Sequence, residues 1–568
     1  MELSEQQHNI QQEGILDRIW RYKLHYVIVL PALFLIFLFK IIPFLWGLYL
    51  PFVDYKVFLG LFRSEFVGLD NLSRLFNQPA FLRVIINTVA INFGYILAAS
   101  AISLLLALAL SVIRSHRLRA LLSTLFLMPF FIPTIVIAYI VMLLLSLNHS
   151  PFAFEKLILA DPALFQPIII GVEVLRTCGI PILIALAAIH AKHAAQGASE
   201  HRGGFVTMNL IPALRAIIAF MLIQLSAVLT TNFELMHMLV NPLVYETGDT
   251  LATYQFRTGL LMADMSMAGA VGLIQYVVQL ICAILVYLLI RGFFVKDLFH
   301  STGQNKTASI QAKDPAASII GTMVSVLYGA VIVFLLYQLF IQPLFLKSDS
   351  GYRLLDELPI SNLIAYPLLT LFAVFVHLLL TLTLAYPLTV KDLPGRNVYK
   401  AFLLMILVVG SGSMSEYLFY HKLGMIDTVF PYVTIGFFSI ISVFVLKSIF
   451  NSKYSKLKEE AVLQGRGELH SFFYLFIPKI WKPLIGLGVL HYVMLINAYT
   501  TSLTYTAGPD RYSPTLLFRN LATGNSVTPG DPIVMQYAAL ISLPGVLLLL
   551  IFRRLLTSEV MISQTIKL

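Results

Sequence analysis

Twelve apolar stretches, each of about 20 residues or more, run along this 568-residue chain. A helix of that length can cross a hydrocarbon core about 30 Å thick. Because the bilayer offers the backbone no hydrogen-bond partner, each crossing segment is expected to be helical. The predicted spans form two sets of six and lie at 24–50, 81–113, 119–147, 166–190, 211–238 and 264–293, and then at 316–346, 359–389, 398–419, 429–450, 480–500 and 533–556. The sequence therefore predicts an all-α polytopic membrane protein.

Composition excludes the soluble classes of protein. Apolar residues make up 58% of the chain and charged residues only 12%, which is about half the charged share of a soluble domain. Aromatic residues, at 12%, argue against a disordered chain. The two cysteines, Cys178 and Cys282, lie in apolar stretches and form no Cys-x-x-Cys pair. We therefore expect neither a disulfide framework nor a metal site.

Lysine and arginine are distributed unevenly between the two sides of the predicted bundle. If the N-terminus lies in the cytoplasm, the cytoplasmic segments hold 26 of the 39 Lys and Arg residues and the outer segments hold 11. Cytoplasmic loops of membrane proteins carry such an excess. We therefore expect a multi-pass protein of the cytoplasmic (inner) membrane with both termini in the cytoplasm.

Two polar segments delimit the predicted halves. Residues 1–23 form a cytoplasmic N-terminal segment, which is equally compatible with a short interfacial helix and with a disordered tail. The polar stretch at 301–315 is rich in small residues and predicts a flexible cytoplasmic linker. The first half is therefore assigned to 24–300 and the second half to 316–568.

A matching loop between the fourth and fifth span of each half indicates an internal duplication. Pro212 and Pro478 are 266 residues apart, and so are Ser199 and Gly465, each thirteen residues before its proline. Glycine permits a break between helices, and proline is tolerated at a helix start because its missing N–H would be unpaired there. We expect a helix, a break, a short helix on the cytoplasmic surface, and then a span that starts at the proline.

These loops and two further segments resemble a known family. The second loop reads Lys458-Glu459-Glu460-Ala461-Val462-Leu463-Gln464-Gly465, followed by Ile477-Pro478, and it resembles the EAA loop of ABC importer permeases. The segments similar to the carbohydrate-uptake permeases of that family are Phe66-Val67-Gly68-Leu69-Asp70-Asn71-Leu72 with Asn87-Thr88, and Thr253-Tyr254-Gln255-Phe256-Arg257-Thr258-Gly259-Leu260. The chain resembles two such binding-protein-dependent permeases fused head to tail. This implies the type I ABC importer transmembrane fold, with coupling loops near 191–212 and 457–478.

The resemblance implies that the two loops dock on ATPase subunits. The residues expected to carry this coupling are Glu459, Glu460, Ala461, Gly465 and Pro478 in the second loop, and His193, Ala194, Ala195, Ser199 and Pro212 in the first. The first loop departs from the family pattern, because His193 replaces Glu and Ser199 replaces Gly. A neutral His can still donate one hydrogen bond. We therefore expect an asymmetric pair in which the second loop docks more tightly.

The expected partners and cofactors follow from the same resemblance. None of the 32 glycines is followed by lysine, so the chain has no P-loop and no cofactor of its own is expected. The resemblance implies two ATPase subunits, as a homodimer or a heterodimer, that hold ATP and Mg. It also implies an extracytoplasmic solute-binding protein that delivers the sugar. Membrane lipid is the remaining partner, and no nucleic acid is expected, because loop bias accounts for the net charge of +10.

Polar residues within spans usually face a cavity or another helix. Those expected to line a substrate cavity are Glu173, Arg176, Asn232, Glu234, His237, Asn497, Tyr499 and Thr500. A structural ion pair is an equally good interpretation of Glu173 and Arg176, which are three residues apart on one helix. Helix–helix hydrogen bonds are the alternative for the others. For Lys40, in the middle of the first span, we expect a contact with the other half or with a polar neighbour.

These observations favour transport over catalysis. The scattered Asp and His residues form no catalytic constellation, so the chain is not expected to be an enzyme. The favoured function is the permease of an ATP-binding-cassette importer that moves a sugar, with an oligosaccharide preferred. The alternative is an ion-coupled secondary transporter of the twelve-helix type, which also duplicates six helices. In that type the longest inner loop usually lies between spans six and seven, whereas here the motif-bearing loops lie between spans four and five.

Overall fold

Long apolar helices account for most of the computed structural model of the protein. The structure describes residues 15–147, 150–152, 154–196, 204–293, 315–346, 359–390, 393–408, 414–463, 467–524 and 530–564. Within these ranges, eight helices are long and apolar enough to cross a membrane, and three bent helix pairs raise the number to eleven. The prediction of an all-α polytopic membrane protein is confirmed.

The first half follows the predicted order of spans. Spans 1 to 6 are Lys23–Phe52, Pro79–Ser111, His116–Phe131 with Thr134–Leu144, Pro162–Thr177 with Gly179–Gln196, Val206–Leu225, and Met265–Phe293. The shorter helices are Ile15–Arg21, Asp70–Phe76, Ile158–Ala160, Phe233–Leu239, Pro242–Val244, Tyr245–Gly248, Leu251–Phe256 and Arg257–Leu261. Between spans 1 and 2, the strand Val53–Asp54 pairs antiparallel with Glu65–Phe66.

The second half repeats this order. Spans 7 to 12 are Pro315–Phe345, Ser361–Thr389, Arg396–Val408 with Met414–Lys422, Phe430–Phe437 with Ile440–Leu463, Glu468–Asn497, and Pro532–Phe552. The shorter helices are Thr500–Tyr505, Pro509–Arg511, Pro514–Thr523, Ser558–Met561 and Ile562–Gln564. The predicted ninth span at 398–419 corresponds to two helices of 13 and 9 residues, which flank residues that the structure does not describe.

Three predicted spans are bent rather than straight. Span 3 bends by 94°, span 4 by 50° and span 10 by 44°. In span 3 the backbone of Ile132 is extended, because the proline that follows it disfavours the helical conformation. In span 4 the break lies next to Gly179, where a Cβ would collide with the carbonyl group of Phe126 in span 3. Close approach of the two spans therefore requires a glycine at the bend.

Spans 5 and 11 begin earlier than the sequence predicts. The short helix and the span form one continuous helix in each half, starting at Val206 and at Glu468. The prediction that Pro212 and Pro478 start these spans is therefore wrong. A π-helical turn ends just before each proline. Such a turn departs from the regular i→i−4 ladder, in which a proline would lack a donor and would clash with the preceding turn.

The first span of each half packs against the opposite half. Span 1 contacts spans 8 and 9, and span 7 contacts spans 2 and 3. At the seam made by span 1, Lys40 Nζ lies 3.4 Å from Glu416 Oε1, and both side chains are buried. The expectation that Lys40 contacts the other half is therefore confirmed. At the seam made by span 7, a Cβ on Gly321 would lie 2.6 Å from the carbonyl oxygen of Ala109.

Two asparagines show that the halves repeat in detail. Asn87, in span 2, donates to the carbonyl oxygens at both ends of the turn 246–249, at 2.9 and 3.2 Å. Asn362, in span 8, donates to the carbonyl oxygens at both ends of the turn 509–512, both at 3.1 Å. The acceptors are three residues apart in each half, and the two turns are 263 residues apart. The pattern supports the duplication that the sequence predicts.

Candidate functional site

The predicted cavity residues lie where the two halves meet. Two short helices, together with their N-cap residues Asn232 and Tyr499, carry five of the eight. One helix, Phe233–Leu239, follows span 5, which ends at Leu225 rather than at the predicted residue 238. The other helix, Thr500–Tyr505, follows span 11. The two helices end 266 residues apart, which is also the separation of the two loop prolines. They are therefore equivalent elements of the repeat.

A buried ion pair on span 4 forms one part of the cluster. Arg176 donates from Nη2 and Nε to the two carboxylate oxygens of Glu173, at 2.8 and 3.2 Å. Asn232 donates to the same carboxylate at 3.4 Å, and its own Oδ1 caps the next helix by accepting from the Leu235 N–H. A two-pronged arginine–carboxylate contact is the strong form of this ion pair. Through Asn232 the pair contacts the segment that leads into the helix Phe233–Leu239.

Glu234 joins the first half to the second. Its Oε1 accepts hydrogen bonds from the Tyr499 N–H at 2.7 Å, the Thr500 N–H at 3.3 Å and the Thr500 hydroxyl at 3.1 Å. Burial raises the pKa of the Glu234 carboxyl group, and these hydrogen bonds oppose the rise. Glu234 and Thr500 are 266 residues apart and so occupy equivalent positions. Since equivalent residues touch each other here, the pseudo-two-fold axis of the molecule passes between them.

His237 extends the cluster across the same axis. Its Nδ1 lies 2.8 Å from the Tyr499 hydroxyl, and its Nε2 lies 3.5 Å from Nη2 of Arg519. Because arginine can only donate, Nε2 must accept, so that the ring is neutral and its Nδ1–H donates to Tyr499. Burial and, secondarily, the Arg519 guanidinium lower the pKa of His237 to about 4. This direction agrees with a neutral ring.

Aromatic rings border the polar groups of the cluster. Phe233 stacks on the His237 ring with centroids 5.0 Å apart, and Phe256 lies 5.0 Å from Phe233 and 5.4 Å from His237. Phe233, Phe256 and Arg519 are not among the predicted cavity residues. The available signal for Phe233 is its position between the polar residues Asn232 and Glu234.

The cluster is closed in this structure. A cavity bordered by Tyr95, Glu173 and Asn232 has a volume of about 10 Å³, which is the lower limit for one water molecule. Asn497, the remaining predicted cavity residue, donates to the carbonyl oxygen of Phe131 at the bend of span 3, at 3.2 Å. This bond also joins the two halves. Most polar groups of the cluster therefore bond to one another, whereas Arg519 Nε is buried without a hydrogen-bond partner among the described residues.

The predicted docking residues lie around two loops that the alternation of spans places on one face of the bundle, here termed the loop face. Eight of these residues lie in helices, namely His193, Ala194, Ala195, Pro212, Glu459, Glu460, Ala461 and Pro478. Ser199 and Gly465 lie outside the described residues. Glu460 and Pro478 are exposed, and Pro212 is half-buried. Their contact with a partner stays a prediction.

His193 is held within its own half. Its Nε2 lies 2.8 Å from Oδ1 of Asn209, and the Asn209 amide donates to the Ser111 hydroxyl at 3.1 Å. Ser111 ends span 2, and Asn209 lies in the π-helical turn of span 5. The imidazole therefore bridges elements of the first half.

The helices of the two halves meet at this closed polar cluster. No protein-family model matches the chain. The chain is 28% identical over 302 residues to the polygalacturonan/rhamnogalacturonan transport system permease protein YteP of Bacillus subtilis (strain 168), a match that covers 51% of this chain and 94% of YteP. It is 28% identical over 274 residues to the protein LplB of the same organism, covering 45% of this chain and 85% of LplB.

Solved structures are also similar to this chain. One of them is a chain from the crystal structure of a bacterial alginate ABC transporter in complex with an alginate pentasaccharide-bound periplasmic protein. The sequence identity is 26% and the TM-score is 0.43, and the match covers 49% of this chain and 98% of that chain.

The chain is thus related to the permeases of sugar transport systems, and the resemblance to ABC importer permeases is confirmed. YteP is matched over nearly its whole length by about half of this chain. The length of the chain is therefore consistent with two permease halves in one polypeptide. The relationship supports a transport subunit and does not favour the ion-coupled alternative.

Proposed function

We propose that the protein is the transmembrane permease of an ABC importer that moves an oligosaccharide delivered by an extracytoplasmic binding protein. Two separate ATPase subunits, a homodimer or a heterodimer, bind ATP and Mg and dock on the loop face. That face and both termini are on the cytoplasmic side. The observation that carries the proposal is the closed polar and aromatic cluster on the pseudo-two-fold axis, because a substrate that passes between the halves must pass through it.

The contacts between the halves act as the gate of this transport cycle. ATP binding draws the docking loops together, and the two halves move between two discrete arrangements. Separation breaks the bonds from Glu234 to Thr500 and from Asn497 to the Phe131 carbonyl group. The released donors and acceptors then become available to sugar hydroxyl groups.

Arg519 favours an acidic sugar as the cargo. Its Nε is buried without a hydrogen-bond partner among the described residues, and its Nη2 faces Nε2 of His237 at 3.5 Å rather than a carboxylate. The neighbouring His237 is neutral, so that the positive charge remains available to a carboxylate of the ligand. The name of YteP, which refers to polygalacturonan and rhamnogalacturonan, points to the same uronate-containing class.

The test is substrate-stimulated ATP hydrolysis by the complex purified from native membranes and reconstituted with its binding protein. We expect ATPase subunits to co-purify and oligogalacturonides to stimulate hydrolysis more than neutral oligosaccharides do. Loss of one hydrogen bond to a charged group predicts that Arg519→Gln weakens the response to the acidic sugar by about tenfold. Sugar uptake by the purified chain alone under an ion gradient would contradict the proposal and favour the secondary transporter.

A further inference from the structure

A cluster of two buried rings and a partly exposed carboxylate at the loop face joins span 1 of the first half to the start of span 11 in the second half. The ring of His25 is fully buried and stacks on Tyr386, with centroids 5.2 Å apart and planes inclined by 4°. His25 Nε2 lies 3.1 Å from Glu468 Oε2. The Tyr386 hydroxyl donates to the same carboxylate oxygen at 2.7 Å. We refer to these three residues as the His25 cluster.

Glu468 is the member of the cluster nearest to the second docking loop. It comes three residues after Gly465, where the break in that loop is predicted. It also begins span 11, a continuous helix of 30 residues. Displacement of the loop therefore moves Glu468 together with span 11, and Glu468 contacts His25.

The residue after His25 ties span 1 to another segment of the second half. The Tyr26 hydroxyl donates to the carbonyl oxygen of Pro394 at 2.8 Å. Pro394 lies between spans 8 and 9, two residues before the helix Arg396–Val408. Two consecutive residues of span 1 thus hold two separate segments of the second half at the loop face.

The equivalent position on span 7 lacks this connection. A π-helical turn followed by a proline recurs 300 residues apart in the two spans, at Pro43 and Pro343. By the same offset His25 corresponds to Ser325, which is fully buried. In the part of the chain that the structure describes, neither the Ser325 Oγ nor the His25 ring nitrogens make a hydrogen bond, but only His25 lies within ion-pair distance of a carboxylate. Near the first docking loop, His193 bonds within its own half.

We propose that the His25 cluster transmits movement of the second docking loop to the first half. The second loop displaces span 11 of its own half and, through Glu468 and His25, span 1 of the other half. The first loop moves its own half through His193. Coupling of this kind travels through packed elements that have two discrete arrangements. The inference rests on the proposed function, because it takes the force from an ATPase partner, and it makes His25 and Glu468 positioning residues.

The test is the number of ATP molecules hydrolysed per sugar transported by the reconstituted complex with its co-purified ATPase. His25→Phe keeps the ring but removes the contact with Glu468, and Glu468→Gln keeps an acceptor for Tyr386 but removes the charge. Each is expected to raise the ratio about fivefold or more, the lower end of typical coupling between sites. Two matched controls, Ser325→Ala on span 7 and the exposed His470→Ala on the helix of Glu468, are expected to leave it unchanged.

The outcomes separate coupling from stability and from docking. A variant that only lost folded complex would lower ATP hydrolysis and transport together, so an unchanged ratio in both variants overturns the inference. An equal rise in Ser325→Ala also overturns it. Loss of ATPase subunits from the Glu468→Gln complex would place Glu468 in the docking surface and overturns it as well. If the unaltered complex contains no ATPase, the proposed function itself fails. That result is distinct from an unchanged ratio in the two variants, which overturns only the inference about the His25 cluster.

Discussion

Spans 1 and 7 occupy equivalent places in the repeat, yet different interactions attach them to the opposite half. Span 1 makes polar contacts through His25, Tyr26 and Lys40. The residues 300 positions later on span 7 are Ser325, Val326 and Phe340. Span 7 makes a neutral polar contact with the first half, between the Tyr328 hydroxyl and Cys178 Sγ at 2.6 Å. It also approaches span 2 so closely that a Cβ at Gly321 would lie 2.6 Å from a backbone oxygen. A duplicated backbone can therefore be joined by two physically different seams.

The two kinds of seam have different consequences. Close packing at small residues is the general means of helix association in membranes, and it gives many weak contacts. A buried ion pair adds little net stability, but an unpaired buried charge is costly. Span 1 is therefore held to the half that supplies Glu416. The polar seam can also transmit a directed displacement, which the His25 cluster requires.

The largest expected effect comes from breaking the polar seam. Lys40→Ala removes the ammonium group that pairs with the buried Glu416 carboxylate and is expected to lower the free energy of unfolding by about 3–5 kcal/mol. Denaturant unfolding of the purified protein in detergent measures this change. Lys40→Ala combined with Glu416→Ala should recover most of the loss. A double variant no more stable than Lys40→Ala would show that the pair does not hold the seam.

The seam between spans 7 and 2, where Gly321 packs against Ala109, is tested by a matched pair of glycine substitutions. Gly321→Ala forces a methyl group against the backbone of Ala109 and is expected to cost about 1–3 kcal/mol. At Gly47, on span 1, an added Cβ would lie 2.7 Å from the Ser415 hydroxyl oxygen, which can rotate away. Gly47→Ala should therefore cost less in the same unfolding measurement. Equal losses, or a larger loss at Gly47, would remove the distinction between the seams.

The Glu234 contact on the pseudo-two-fold axis belongs to neither seam. Its loss should lower the free energy of unfolding by a smaller amount. Glu234→Ala leaves the N–H groups of Tyr499 and Thr500 without their acceptor and is expected to cost about 1–2 kcal/mol. The exposed Glu246, which pairs with Arg83 at 2.9 Å, provides the control. Glu246→Ala should stay within about 0.5 kcal/mol of the unaltered protein. Equal stability of the Glu234 and Glu246 variants would contradict a gate at Glu234.

The smallest effect is expected at the docking loops. Glu459→Ala should weaken retention of the ATPase subunits about fivefold, as the loss of one hydrogen bond predicts. His193→Ala should weaken it less, because His193 bonds to Asn209 within its own half. Quantitative co-purification from membranes measures both. Equal losses would contradict the asymmetry between the loops.

The positions of the spans could be predicted because a bilayer demands one length of apolar helix. Span 1 is expected at 24–50 and lies at Lys23–Phe52. The bends were not predicted from hydropathy, which is insensitive to backbone direction. The Ile132–Pro133 break has a local cause that the sequence contains, whereas the break at Gly179 depends on a contact with another span.

In the candidate site, too, the sequence predicts some residues from local patterns, whereas others are identified only by contacts between distant segments. The polar stretches after Pro212 and Pro478 were selected because they are equivalent in the repeat, and the structure brings them into contact at Glu234 and Thr500. Their role in substrate binding stays a prediction. The part played by Arg519 depends on how the two halves pack together, and no local pattern in the sequence encodes that arrangement.

The most direct test of the account is sugar uptake into proteoliposomes that contain the complex purified from native membranes, with ATP inside or absent. ATPase subunits are expected to co-purify with the chain, and uptake is expected to require both ATP hydrolysis and the binding protein. An ATPase subunit that cannot hydrolyse ATP should abolish uptake. Undiminished uptake without ATP, driven by an ion gradient across the membrane, would contradict the account.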